Sequence, residues 1–419
     1  MIKIPYDKSE ITLEIDDPKA ILTAKMHNLI PDKTAEEIIL EALTNPIDSL
    51  PLEKLAEGKQ TITIITSDHT RAVPSKITLP IILSLLRKGN PQANIRIIIA
   101  TGLHRATSVQ EQRAMFGDEI VDKEQIFIND ANDDSQFIDL GELPSGAKCE
   151  INKLAVECDL LISEGFIEPH FFAGFSGGRK SVLPGISSRE TINENHCFRA
   201  IANPLSVTGV LQDNPVHKDM LVAAEKAKLA FILNVALNSK KQVLAAFAGE
   251  MHSAHAKGVE YVTNCSRCDK ILGDVVITGN GGYPLDQNLY QTPKAMATAE
   301  LCTKPGGIII MCAACVDGVG GENFERIMLG GSPAEIENKL SKIPPKETIP
   351  EMWNAQVLVR ILKDHKIILV SGMEPQLISK MNMIPANNLE EALTEARQIK
   401  GDNAEIVVIP DGVSVLCKD

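Results

Sequence analysis

The sequence predicts an α/β protein: two α/β domains with parallel-rich, Rossmann-like sheets and an active site in the cleft between them. Three observations carry that expectation. Apolar runs at residues 61–66, 95–100 and 159–163 each end in a polar, glycine- or histidine-bearing loop, the punctuation of a parallel sheet. A second strand–helix–strand unit follows at 274–278, 288–302 and 308–311. The chain's 419 residues also exceed one typical domain.

In chain order, residues 11–15 alternate like a half-buried strand. Thr34 and Glu37 have capping-box spacing and start a helix that runs toward Asn45-Pro46. The strand at 61–66 feeds the turn Ser67-Asp68-His69-Thr70-Arg71, then a helix over roughly 76–87. The strand at 95–100 ends in Thr101-Gly102-Leu103-His104-Arg105, and Ser108 with Glu111 caps the next helix. Strand 159–163 leads into Glu164 through Ser181, the stretch richest in chemistry. Residues 195–199 read as helical, and 229–237 and 243–247 as strands. A boundary near 265–270 divides the chain into a cofactor-binding domain, 1–268, and a second domain, 269–391. In the latter, helices at 333–343 and 353–365 precede a strand at 366–370. The tail 392–419, with a strand at 405–409, is expected to return to the first domain.

A composition of 44% apolar and 23% charged residues is that of an ordinary globular enzyme. A net charge of −13 argues against nucleic acid as a partner while leaving room for a local basic pocket. No apolar run approaches the ~20 residues a membrane helix needs. The first residues lack the apolar core of a signal peptide, and nine dispersed cysteines suit a reducing compartment, so the expected location is cytoplasmic.

Counting from Gly174, Lys180 and Ser181 fall where a phosphate-binding P-loop wants them, but Arg179 replaces its second required glycine. A phosphorylated ligand that is not an ordinary nucleoside triphosphate fits this pattern, with the stretch's glycines letting N–H groups crowd around it and Arg179-Lys180 adding positive charge. His104, His170 and His196 stand out because imidazole serves as acid, base or metal ligand near neutrality. A lone loop histidine is more often bonded to backbone; three of them, near Asp68, Arg71 and Lys180, tip the balance toward chemistry. Lys180 reads equally as a phosphate-binding charge or a covalent anchor. The pairs Cys265/Cys268 and Cys312/Cys315 are too widely separated for an ordinary four-cysteine zinc site, and His252/His255 reads as a solvated helix face.

These residues resemble the nickel-dependent lactate racemases. The resemblance lies in Ser67-Asp68-His69-Thr70-Arg71, Thr101-Gly102-Leu103-His104-Arg105, Glu168-Pro169-His170 through Lys180-Ser181, and Asn195-His196, and continues at Leu289-Tyr290-Gln291, Lys294 and Trp353. It implies a cofactor, the nickel-pincer nucleotide: a pyridinium mononucleotide whose two sulfurs and one ring carbon hold nickel. By resemblance, Lys180 tethers it through a thioamide and His196 ligates nickel. His104 and His170 are the acid/bases, and Asp68, Arg71 and Ser176-Gly177-Gly178 hold cofactor or substrate. Tyr290, Gln291, Lys294 and Trp353 close the site around the substrate. The implied reaction interconverts D- and L-lactate, or a related 2-hydroxy acid, by hydride transfer through a keto acid. Cofactor-synthesis proteins are then expected partners, and a homo-oligomer stays open. Rival readings are a cofactor-free two-histidine racemase, a nucleotide-binding kinase or ATPase, and a zinc-bearing module without catalysis.

Overall fold

The computed structural model describes residues 1–418. After an N-terminal hairpin comes a two-residue strand, β1 (Ala20–Ile21), whose partner lies near the other end of the chain. Helix α1 (Ala35–Thr44) starts at the predicted capping box, with Thr34 and Glu37 satisfying each other's backbone N–H. Then come β2 (Thr61–Ser67), α2 (Ser75–Gly89), β3 (Asn94–Ala100) and α3 (Val109–Phe116), the last capped by Ser108 and Glu111 as expected. Strands β4 (Gln125–Ile128), β5 (Leu160–Phe166), β6 (Leu229–Leu237) and β7 (Val243–Gly249) complete a six-stranded sheet of order β7-β6-β5-β2-β3-β4. Only β7 runs antiparallel to its neighbour. The interior of β2 is buried on both faces, the signature of a parallel strand covered by helices.

The second sheet holds β8 (Gly273–Gly279), β9 (Thr303–Cys312), β10 (Lys366–Val370), β11 (Ile384–Ala386) and β12 (Ile406–Ile409), in the order β11-β10-β9-β8-β12-β1, all parallel. Here the tail departs from expectation. β12 docks on β8 and passes the sheet edge to β1, so the tail completes the second sheet, and residues 20–21 of the first segment join it there. A fully apolar Ile406–Ile409 needs two buried faces, and the position beside β8 supplies them.

Two other expectations are refined. The helix placed at 288–302 begins with a short 3₁₀ turn, Leu289–Gln291, because Pro293 then restarts it as an α-helix through Leu301. The helical reading of 195–199 breaks at His196, which caps the helix Arg189–Asn195 before another starts at Phe198. Apolar side chains of both sheets (Ile65, Ile98 and Leu161 with Val276, Ile309 and Leu369) belong to one continuous core. Cys265 and Cys312 pack into separate apolar clusters, and no group of three potential metal-ligating His, Cys, Asp or Glu side chains gathers among the described residues. Nor is any described helix long and apolar enough to cross a membrane.

Candidate active site

The sheet register aligns the loops. Ser67 lies beside Ala100 and Ile65 beside Ser163, so the loops after β2, β3 and β5 leave the same carboxyl edge together. Gly102 N–H donates to the Gly185 carbonyl at 3.0 Å, tying the His104 turn to the segment just beyond Lys180.

Asp68, 1% exposed, accepts from Thr70 N–H and Oγ1 at 3.0 and 2.6 Å with one oxygen. Its other oxygen lies 2.6 Å from His104 Nδ1. Burial pushes this carboxyl up, but the His104 hydrogen bond and charge, with Arg71 and Thr70, outweigh it and hold it down to about 2. A carboxylate at Nδ1 keeps the imidazole proton there and leaves Nε2, on a side chain 41% exposed, free to take or give one.

His170 is wired differently. It lies in a tight antiparallel pair with Gly174, accepts from Ala173 N–H at Nδ1 (3.3 Å), and places Nε2 3.0 Å from Lys180 Nζ. Burial first, with the nearby cations Lys294 and Arg71 acting in the same direction, pushes it well below its ordinary value, so it is neutral at pH 7. His196 is 4% exposed, and its Nδ1 donates to the Ile192 carbonyl at 3.0 Å. That bond fixes the tautomer and leaves a lone pair on Nε2, the arrangement a metal ligand needs. Burial above all pushes it down to about 3 against the Ile192 hydrogen bond.

From the second sheet's side, Trp353 packs its indole against His196. Asn354 donates to the Tyr290 carbonyl at 2.7 Å. Lys294, in the first turn of the helix after Pro293, lines a pocket with His170, Glu168, Thr208, Thr298 and Val413. Burial and Arg71 push it down to about 8, with Glu168 opposing. Gln291 shares the turn of Tyr290.

The glycine turn differs from an open anion cradle. Gly178 N–H donates to Asn234 Oδ1 at 2.8 Å, and a Cβ at Gly177 or Gly178 would stand 2.7 Å from that oxygen or 2.8 Å from the His255 ring. The glycines are required for close packing at positive φ, 76° and 52°. Ser176 spends its hydroxyl on the Phe166 carbonyl and the Glu168 N–H. His255, expected on a solvated face, is buried against the same turn, 2.9 Å from the Ser176 carbonyl. Positive charge here comes from side chains instead: Arg71 and Lys294, against Asp68 and Glu168. Sequence reasoning gave no role to Thr70, Glu168, Phe172 or Asn234, although Thr70, Glu168 and Phe172 lie within the quoted motifs and Asn234 is a polar residue inside the apolar run of β6.

This geometry has close counterparts. The lactate racemase N-terminal domain family matches residues 6–209 and the lactate racemase C-terminal domain family matches 268–417. A lactate racemase of Thermoanaerobacterium thermosaccharolyticum is 49% identical over all of this chain and 99% of its own, and one of Lactiplantibacillus plantarum is 47% identical over the same shares. The structure of the lactate racemase apoprotein from the former organism superimposes over the whole of both chains with a TM-score of 0.97 at 50% identity. A Thermotoga maritima protein shares the fold at a TM-score of 0.65 and 18% identity, covering 92% of this chain and 98% of its own.

Proposed function

The chain belongs to the lactate racemase family, and on that premise we propose that it interconverts D- and L-lactate in the cleft holding His104, His170 and Lys294. The observation that carries this reading is the pair of differently wired histidines: His104 backed by the Asp68 carboxylate at 2.6 Å, His170 set against Lys180 at 3.0 Å. The α-hydrogen of lactate is very weakly acidic beside an ionised carboxylate, so removing it as a proton faces a steep barrier. Taking the hydroxyl proton while the hydrogen on carbon leaves as hydride avoids a carbanion and passes through the keto acid.

The residues present fit a nickel-pincer nucleotide: an amine at Lys180 to tether it, and a lone pair at His196 Nε2 to hold nickel. When bound, that group supplies the hydride acceptor and donor. The chain's own side chains do the rest. Lys294 and Arg71 give the lactate carboxylate two cations. His104 Nε2 takes or returns the hydroxyl proton on one face, while Asp68 stabilises the imidazolium so formed. His170 serves the other face in the same way once its ring changes tautomer, because its Nδ1 now accepts from Ala173 N–H and its proton sits on Nε2. Its Nε2 now meets the Lys180 amine, and acylation would strip that nitrogen of its basic lone pair and release Nε2 for substrate. Burial of Trp353, His196 and Phe172 around the centre excludes water.

The kinase reading finds no support, because the Gly178 amide that would cradle a phosphate is already bonded to Asn234. The test is an intact mass and nickel determination on protein produced with the cofactor pathway present. An added mass on the Lys180 peptide, absent from Lys180→Ala, is expected. A modification on another lysine would overturn the anchor assignment.

A further inference from the structure

Arg179 heads the largest fully buried side chains of the fold, at 1% exposure. A buried charge is ordinarily paired, because taking an ion out of water is costly. Arg179 has no carboxylate beside it among the described residues; burial alone acts on it, pushing it down to about 9, still charged at neutral pH. Its donors go to neutral acceptors. Nη2 donates to the Ala173 carbonyl at 2.8 Å, Nη1 to those of Ser176 and Gly177 at 3.3 and 3.2 Å, and Nε to His217 Nδ1 at 2.9 Å. His255 Nε2 lies 3.1 Å from Nη1. Burial and the Arg179 charge push both histidines down to about 3, so neither adds a second positive charge near neutrality.

The next residue is Lys180, 3.0 Å from His170 Nε2. Ala173 N–H points at His170 Nδ1, and an amide N–H can only donate, so Nδ1 carries a lone pair. A neutral His170 therefore has its proton on Nε2 and donates it to Lys180. Nζ must then offer a lone pair of its own. With His170 neutral, this geometry describes Lys180 as a free amine. Burial first, then the charge of Arg179, act in the same direction, with Arg71 and Lys294 adding to it and Glu168 opposing.

We propose that Arg179 is a positioning residue for Lys180: its unpaired buried charge and its grip on the carbonyls of Ala173, Ser176 and Gly177 keep the neighbouring lysine a free amine, fixed beside His170 and ready to take an acyl group. The purpose rests on the reading of Lys180 as the cofactor's anchor; the test does not. A lysine out of water and beside another cation gives up its proton more readily, and the free amine is the form that attacks a carbonyl. Lys180 and His196 each pack on the Phe172 ring, the amine 5.7 Å and the imidazole 5.1 Å from its centroid.

The experiment is pulse acetylation of apoprotein with acetic anhydride across a pH series, read by mass on the Lys180 peptide and on that of exposed Lys228 in the same sample. Nζ forms a C–N bond to the acetyl carbon, a C–O bond of the anhydride breaks, acetate leaves and the surplus amine proton passes to solvent. The rate–pH curve of Lys180 should have its midpoint below that of Lys228. R179M should move it upward, lowering the Lys180 rate at pH 7 about tenfold for each unit moved. R179K, which breaks the fork but keeps the charge, should leave it low. Lys180 titrating together with Lys228 in the unaltered protein overturns the inference, whether or not R179M folds. So does a midpoint that R179M leaves in place, or one that R179K moves as far as R179M, since that reduces Arg179 to a strut. A low midpoint with no cofactor mass on Lys180 in pathway-produced protein keeps the inference and removes the anchor reading.

Discussion

The imidazole of His196 and the indole of Trp353 stand edge to face, 5.0 Å between centroids and 60° between planes, although they belong to opposite sides of the cleft. Gln356, one turn after Trp353, donates to the Phe198 carbonyl at 2.9 Å and pins the same junction. The nickel ligand proposed for the first domain is thus walled by the second.

Two variants separate ligand from wall. His196→Ala should cut nickel per protein sharply while the organic mass on Lys180 remains. Trp353→Phe keeps a ring against His196 and should retain most nickel; Trp353→Ala should lose nickel and about 3–5 kcal/mol of stability. Nickel that follows changes at Cys265 and Cys312 but ignores His196 would reverse the assignment.

Much of this was legible in the residues, and the remainder was hidden for identifiable reasons. Capping boxes at Thr34 and Ser108, and strands such as Leu229–Leu237 and Lys366–Val370, are local signals and came through. The destination of Ile406–Ile409 was not local: an apolar strand declares that it is buried, not which sheet it enters. In the site, residue types on strand-end loops pointed to His104, His170 and Lys180. The same reading gave the glycines at 177 and 178 an anion-holding role without seeing that Asn234 and His255 press on them and that the Gly178 N–H already bonds Asn234.

Asp68→Asn tests the first acid/base. An amide places an N–H against His104 Nδ1, forces the proton to Nε2 and removes the base from the substrate side. Turnover should fall about 10²–10⁴-fold with little change in KM. The same variant reports on stability. Asp68 titrates at about 2 in the fold and at about 3.9 when unfolded. Its contribution is therefore full above about pH 4 and lost as the pH falls toward 2. Denaturant titrations should give a stability difference between wild type and variant that is flat from pH 7 to 5 and shrinks below 4.

Lys294, pushed down to about 8, should set an alkaline limit on substrate binding if it holds the carboxylate as proposed. Below that pH it is an ammonium able to hold the lactate carboxylate; above it the charge is lost. KM for lactate should rise above about pH 8, approaching tenfold per unit. Lys294→Arg, charged throughout, should flatten that rise even if its absolute KM is higher. A KM in the unaltered enzyme that stays level from pH 7 to 9.5 would remove Lys294 from carboxylate binding.

The most direct test follows the hydrogen on the α-carbon. A histidine that accepted it as a proton would exchange it with water, because imidazole N–H is labile; hydride held on carbon does not exchange. Cofactor-loaded enzyme given α-deuterated lactate in ordinary water should yield lactate of opposite hand that keeps its deuterium, with a trace of pyruvate from complexes that open before hydride returns. Deuterium lost to solvent at the rate of racemisation would contradict hydride transfer and leave His104 and His170 as two bases acting on carbon.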